Sequence, residues 1–234
     1  MKTLRIVSIL LLAIVMATGC KKKEETPVLD ATTEEAASIM ATSFCTGNAG
    51  TLTQVEDAIG LSQEIVLKST MFDSSFTVSS IPGAVITYQY QVNYAYGYIN
   101  PNNFQMSYSS NGTYNSPNVS ASIDAAGALN ITGFLTGDSW FVNGQSGRDG
   151  TFAMKIGNKS SITGTVTTTL DNFTISKSTG LLQSGTATIV ISGSTSTGKT
   201  FQFTGTLVYT GNYTGTLTIS GKTYSVNLTV GTVQ

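Results

Sequence analysis

From about residue 64 to near the C-terminus, apolar and polar side chains alternate with a period of two. That is the signature of strands with one buried and one wet face. The longest run covers 84–98, where Ile86, Tyr88, Tyr90, Val92, Tyr94, Tyr96 and Tyr98 alternate with Thr87, Gln89, Gln91 and Asn93. The same alternation recurs through Phe104, Met106 and Tyr108, through Phe152, Met154 and Ile156, through Ala187, Ile189 and Ile191, and on to Tyr224, Val226 and Leu228. Turn-type residues predict hairpins at 109–112, 143–150, 193–199, 210–212 and 220–222. Connections this short make successive strands antiparallel.

Two irregularities refine this reading. Ile162, Val166 and Leu170 sit on even positions whereas Phe173 and Ile175 sit on odd ones, so a β-bulge is expected at Asp171 and Asn172. Gly133, Gly164, Gly205 and Gly215 fall on the apolar parity, as points of curvature or as flat seats for bulky neighbours. Upstream of the strands the period is helical. A first helix is expected over 30–44, with Thr32 and Glu35 as a capping box, and a second over 51–59, with Leu52, Val55 and Ile59 on one face. The fold class is therefore mainly β: a long antiparallel meander forming a curved sheet, half-barrel, barrel or sandwich, with one or two short N-terminal helices.

The N-terminus has a different character. Lys2 and Arg5 precede an apolar run over 6–17, interrupted only by Ser8. At about 1.5 Å per residue this run covers roughly 18 Å, short of the ~30 Å core of a bilayer, and reads as the apolar part of an export signal. Ala17-Thr18-Gly19-Cys20 resembles the lipobox of type II signal peptides, with Ala17 where that family usually carries Leu. The resemblance implies cleavage after residue 19 and a lipid-bearing Cys20. It also implies an outer-membrane address, because Lys21 rather than Asp follows the cysteine. Residues 1–19 are thus expected to be a signal peptide, 20–30 a lipidated, charged tether, and 31–234 a single β-rich domain whose helical segment spans 31–60. In layout the chain is similar to β-rich envelope lipoproteins of Gram-negative bacteria. The membrane is its expected partner, through the anchor, with the domain on the periplasmic face or at the cell surface.

Five of the 12 Lys and Arg and five of the 13 Asp and Glu precede residue 36, leaving seven cations and eight acids for the remaining 199 residues. So few cations offer a nucleic-acid backbone no grip. Thr, Ser and Asn must keep the outer faces of the strands wet. With Cys20 acylated, Cys45 has no intramolecular disulfide partner and reads as a small buried hydrophobe. The chain contains no histidine, which removes Ser-His-Asp triads, Cys-His dyads and His-bearing zinc sites together. Gly137-Asp138-Ser139-Trp140 resembles the nucleophile block of GDSL-type hydrolases but lacks the downstream histidine that family needs. The glycines over 144–150 open no helix and form no phosphate cradle. No catalytic residue, metal ligand or cofactor is assigned, and no enzyme activity is expected.

One row of residues is a candidate binding surface: Tyr88, Tyr90, Tyr94, Tyr96 and Tyr98. Tyrosine combines a broad apolar face with a polar tip, which suits an apolar or carbohydrate ligand when exposed and a hydrogen-bonded core when buried. Trp140 and Phe141 must face opposite ways. The expected function is a non-enzymatic binding or scaffold module of the outer membrane. The alternative is a structural or adhesive surface protein acting through polar loops such as 143–150 and 193–199. The ligand version fails for the concave face if the chain's own helices fill it.

Overall fold

Eleven strands follow one another in a single antiparallel sheet whose spatial order equals the chain order, β1 to β11, and the sheet curves without closing. The computed structural model describes residues 30–47, 49–65 and 71–234. The strands are β1 (Phe72–Ser79), β2 (Thr87–Asn100), β3 (Asn103–Asn115), β4 (Val119–Thr132), β5 (Ser139–Met154), β6 (Ser161–Ser176), β7 (Leu182–Thr195), β8 (Thr200–Gly211), β9 (Thr214–Ile219), β10 (Lys222–Asn227) and β11 (Thr232–Val233). Two helices precede them, α1 (Thr33–Phe44) and α2 (Thr51–Glu64). No described helix is long and apolar enough to cross a membrane. Cys20 and the rest of 1–29 lie outside the described residues.

α1 starts where the capping box places it. The Thr32 hydroxyl accepts from the Glu35 backbone N–H at 3.1 Å, and the Glu35 carboxylate accepts from the Thr32 N–H at 3.0 Å. That carboxylate is fully buried and also accepts from the Ser160 backbone N–H at 3.0 Å and the Ser160 hydroxyl at 3.2 Å. One side chain therefore caps the helix and ties it to the β5–β6 turn. From there α1 runs along the concave side of the sheet, touching β4 through β11. Ile39, Met40 and Phe44 are completely buried, each contributing on the order of 1.5–3 kcal/mol of apolar burial. α2 extends to Glu64, beyond the expected 51–59, and in this added turn the Ser62 carbonyl accepts from the Tyr98 hydroxyl of β2. Leu52, Val55 and Ile59 form its buried stripe as the spacing predicts.

The bulge lies where the parity slip predicts: pairing of β6 with β7 shifts after Asp171, and Asn172 takes a left-handed φ of 51°. Gly205 is a seat, since a Cβ there would come within 2.9 Å of Met40 on α1 and of Leu217. Gly133 instead lies just beyond β4 at a φ of 93°. Two expected hairpins are not turns at all. Residues 109–112 continue β3, and 143–150 continue β5. One parity faces water, through Ser109 and Asn111 in β3 and Gln145 and Asp149 in β5, while on the other Gly112, Gly144 and Gly150 allow close approach. A Cβ on Gly112 would lie 2.6 Å from the Tyr90 ring and 2.1 Å from the Gln89 carbonyl oxygen. Of the turns expected at 193–199, 210–212 and 220–222, the structure has turns at 196–199, 212–213 and 220–221, with 193–195 continuing β7 and 210–211 continuing β8. Trp140 is buried and Phe141 faces outward.

Candidate functional site

The five tyrosines share the inner face of β2, and the helices decide what each can do. Tyr90, Tyr94 and Tyr98 are buried; Tyr88 and Tyr96 are half-buried. The Tyr94 hydroxyl donates to Asp57 of α2 at 2.6 Å, and the Tyr98 hydroxyl donates to the Ser62 carbonyl at 2.7 Å. The Tyr98 ring packs edge-on against Phe104 and Phe134. Tyr96 stacks on Phe72 of edge strand β1 and tilts against Phe104. The row is thus a wall against which α2 is bolted. The concave face of the sheet is filled by the chain's own helices, so Tyr90, Tyr94 and Tyr98 offer no open platform there, and only Tyr88 and Tyr96 retain partial exposure. Burial explains the difference from the open-platform reading: an alternating pattern marks the face, but not what covers it.

α2 bridges the unclosed sheet through two consecutive carboxylates. Asp57 is held by Tyr94 from β2, and Glu56 accepts from the Tyr213 hydroxyl at 2.9 Å, from the β8–β9 turn. Loss of water raises both carboxyls above their ordinary range, and the donated hydrogen bonds partly offset this. Burial and the neighbouring Glu56 push the Tyr213 hydroxyl up to about 12. Burial, then the Asp57 charge, raises the Tyr94 hydroxyl as well. These are anchoring contacts between protein groups. Among the described residues no group of three His, Cys, Asp or Glu gathers as a metal site would require.

The opposite, outer face is open. Across β6, β7, β8, β9 and β10 the register aligns Thr169, Thr188, Thr206, Thr218 and Thr223 side by side, all exposed. Gln145 of β5 extends this row, pairing with Thr169. Across β2 to β5 the outward side chains are small and polar and leave a shallow trough of about 550 Å³. Gln89, Thr113, Asn115, Ser120, Ser122 and Thr151 line it. Two further troughs on the same face are lined by Asp73, Ser75, Asn93, Ser107 and Ser109, and by Gln105, Ala128, Asn130 and Asn143. The alternation of Thr, Ser, Asn and Gln was the available signal for this surface, and it reads in the sequence only as the wet side of the strands. No protein-family model matches the chain, and neither does any curated protein or any solved structure.

Proposed function

We propose that the chain is a lipid-anchored, non-enzymatic binding module of the outer membrane, tethered through Cys20, whose outer sheet face takes a hydroxyl-rich carbohydrate ligand. The observation carrying this reading is the division of labour between the two faces. The inner face is spent on α1 and α2, which removes it as a ligand surface, whereas the outer face presents aligned hydroxyl and amide groups without apolar cover. Groups of this kind recognise polyhydroxylated ligands by many modest hydrogen bonds, each worth about 0.5–1.5 kcal/mol.

The anchor fits one end of the domain. Asp30, the first described residue, is held by the Asn158 amide, which donates to its carbonyl at 2.9 Å, and by Lys199 at 2.7 Å. Both belong to turns on the rim that also carries the β1–β2 loop, with Ile81 and Val85 about three-quarters exposed. Residues 20–30 reach at most roughly 35 Å when fully extended, so a lipid on Cys20 keeps that rim near the bilayer surface. Apolar loop tips of this kind suit the headgroup boundary. The adhesive alternative loses one of its two loops, because 143–150 lies within β5; the 196–199 turn remains exposed.

Two measurements test the reading. Mass spectrometry of the mature protein is expected to find a diacylglyceryl modification on Cys20, and the C20A variant to appear in the soluble fraction. A glycan array probed with the mature protein is expected to give binding that Ser122→Trp, which fills the trough, abolishes without lowering the melting temperature. Binding to no glycan, or binding indifferent to Ser122→Trp and to similar blocks on the Thr169 row, overturns the carbohydrate assignment.

A further inference from the structure

Arg148 points inward from the middle of β5 and is 2% exposed. Its guanidinium brings a full positive charge into the core. One nitrogen, Nη2, donates to the Ala49 carbonyl in the α1–α2 connection. Nε and Nη1 make no hydrogen bond of full geometry, and the Tyr90 hydroxyl is the phenol near enough to accept from the guanidinium. Among the described residues no carboxylate pairs with it. Glu35 is engaged by Thr32 and Ser160, Asp57 by Tyr94 and Glu56 by Tyr213. Among the described residues the ion pair is Lys199 with Asp30, at the surface.

The groups around this charge are hydroxyls. The guanidinium lowers the Tyr90, Tyr108 and Tyr114 phenols against the larger rise that burial imposes, which marks all three as its electrostatic neighbours. The buried Tyr90 hydroxyl lies close enough to the guanidinium to accept from it and the buried Tyr108 hydroxyl lies beside Ser146, but neither makes a hydrogen bond of full geometry, while Tyr114 shares a 3.3 Å contact with the Thr42 hydroxyl. Gly112 and Gly127 make space by letting the Tyr90 and Tyr108 rings lie flat on the sheet; a Cβ on either would meet its ring at 2.5–2.6 Å. Ala125 is the cross-strand neighbour of Arg148 on β4.

A buried cation without a counter-charge is destabilising even after relaxation. Tyrosyl oxygens can accept single hydrogens from it, which improves geometry but leaves the charge uncompensated. An anion does both, and the Arg148 N–H and tyrosyl O–H groups that lack a full hydrogen bond are donors that suit one. A single positive charge matches a monovalent ion, whereas a divalent oxyanion would leave an unbalanced negative charge in the same place. We infer that Arg148, Tyr90 and Tyr108 form an internal binding site for a small monovalent anion of the halide class. The ion enters during folding and is a component of the native core.

The test uses the full mature chain, unfolded and refolded in sodium chloride or in sodium gluconate at equal ionic strength. The expected result is a melting temperature that rises with chloride concentration and not with gluconate, as binding to the folded state alone requires. Arg148→Met is expected to lose the chloride dependence. Should that variant not fold, Tyr90→Phe with Tyr108→Phe retains the cation and removes two donors. It is expected to need about tenfold more chloride for the same gain, the loss of roughly one net hydrogen bond. Crystals grown in sodium bromide are expected to show an anomalous peak within hydrogen-bond reach of Nε and Nη1. Equal stability in the two salts, or water alone beside the guanidinium in bromide crystals, overturns the inference.

Discussion

The same two helices pack against two unlike halves of one sheet. Under β6 to β9 the inner face is aliphatic, with Ile162, Val166, Leu170, Ile189, Ile191, Leu207, Leu217 and Ile219 all buried and Phe173 set against Phe44 of α1. Under β2 to β5 it mixes aliphatic side chains with the tyrosines of β2 and β3, and four contacts with the helices end in polar atoms: Tyr94 on Asp57, Tyr98 on Ser62, Tyr114 on Thr42, Ser146 on Thr51. The aliphatic half holds α1 by non-directional burial, which stabilises without fixing position. The tyrosyl half adds directional bonds that fix how α1 and α2 sit. A substitution should therefore cost most where area is lost and less, though with a distinct pH signature, where a bond is lost.

The largest effect is expected from Phe173→Ala. It removes a fully buried ring from the aliphatic half and should lower stability by about 3–5 kcal/mol in denaturant titration. A loss under about 1 kcal/mol would mean that α1 is not packed there. Next, Glu35→Ala deletes the carboxylate half of the α1 capping box and its link to Ser160 together. A loss of about 2–3 kcal/mol is expected, because the buried Ser160 N–H is left without its acceptor. Tyr94→Phe keeps the ring and removes one hydrogen bond, for an expected loss of about 1–2 kcal/mol, checked by the same titration.

The polar seam also predicts a pH dependence. Glu56 and Asp57 are held above their ordinary values in the folded chain, so the folded state keeps protons that the unfolded chain has already released. The contribution of these two groups is greatest below about pH 4, where both states are protonated, and declines as pH rises through the raised folded values. Glu56→Gln with Asp57→Asn is expected to flatten that decline in melting temperature between pH 4 and neutrality, on the order of the usual carboxylate window. Tyr94→Phe should steepen it, since the lost hydrogen bond was lowering Asp57. The smallest effect is expected at the surface, where Lys199→Ala removes an exposed ion pair worth about 0–1 kcal/mol.

Much of this architecture is readable from single residues. Thr32 and Glu35 announce the start of α1, and the slip between Leu170 and Phe173 announces the bulge, because both features follow from local backbone chemistry. What misleads is composition without parity. Ser109-Ser110-Asn111-Gly112 and the segment 143–150 have the residues of turns, yet in each one parity faces water, through Ser109, Asn111, Gln145 and Asp149, while Ser110, Ser146 and Arg148 point inward beside Gly112, Gly144 and Gly150, which lie close against a ring or a neighbouring strand. Extending the even-numbered register of Phe152 and Met154 back through Ser146 and Arg148 would have placed that arginine in the core, where the segment's loop-like composition hides it. The five tyrosines were identifiable as one face of one strand. Their occupation by α2 was not, since nothing local in 84–98 specifies which segment lies over it. The outer troughs likewise depend on register among β2 to β5, which no single strand encodes.

Native-state hydrogen exchange of α1 and α2 tests most directly whether the chain fills its own concave face. If the helices are the core of the curved sheet, the amides of residues 36–44 and 54–62 should exchange as slowly as those at the centre of β5 to β7, opening only with the whole fold. Fast exchange in both helices while the strands stay protected would mean that they are a removable cover over a binding cavity. The tyrosine row would then return as the ligand site.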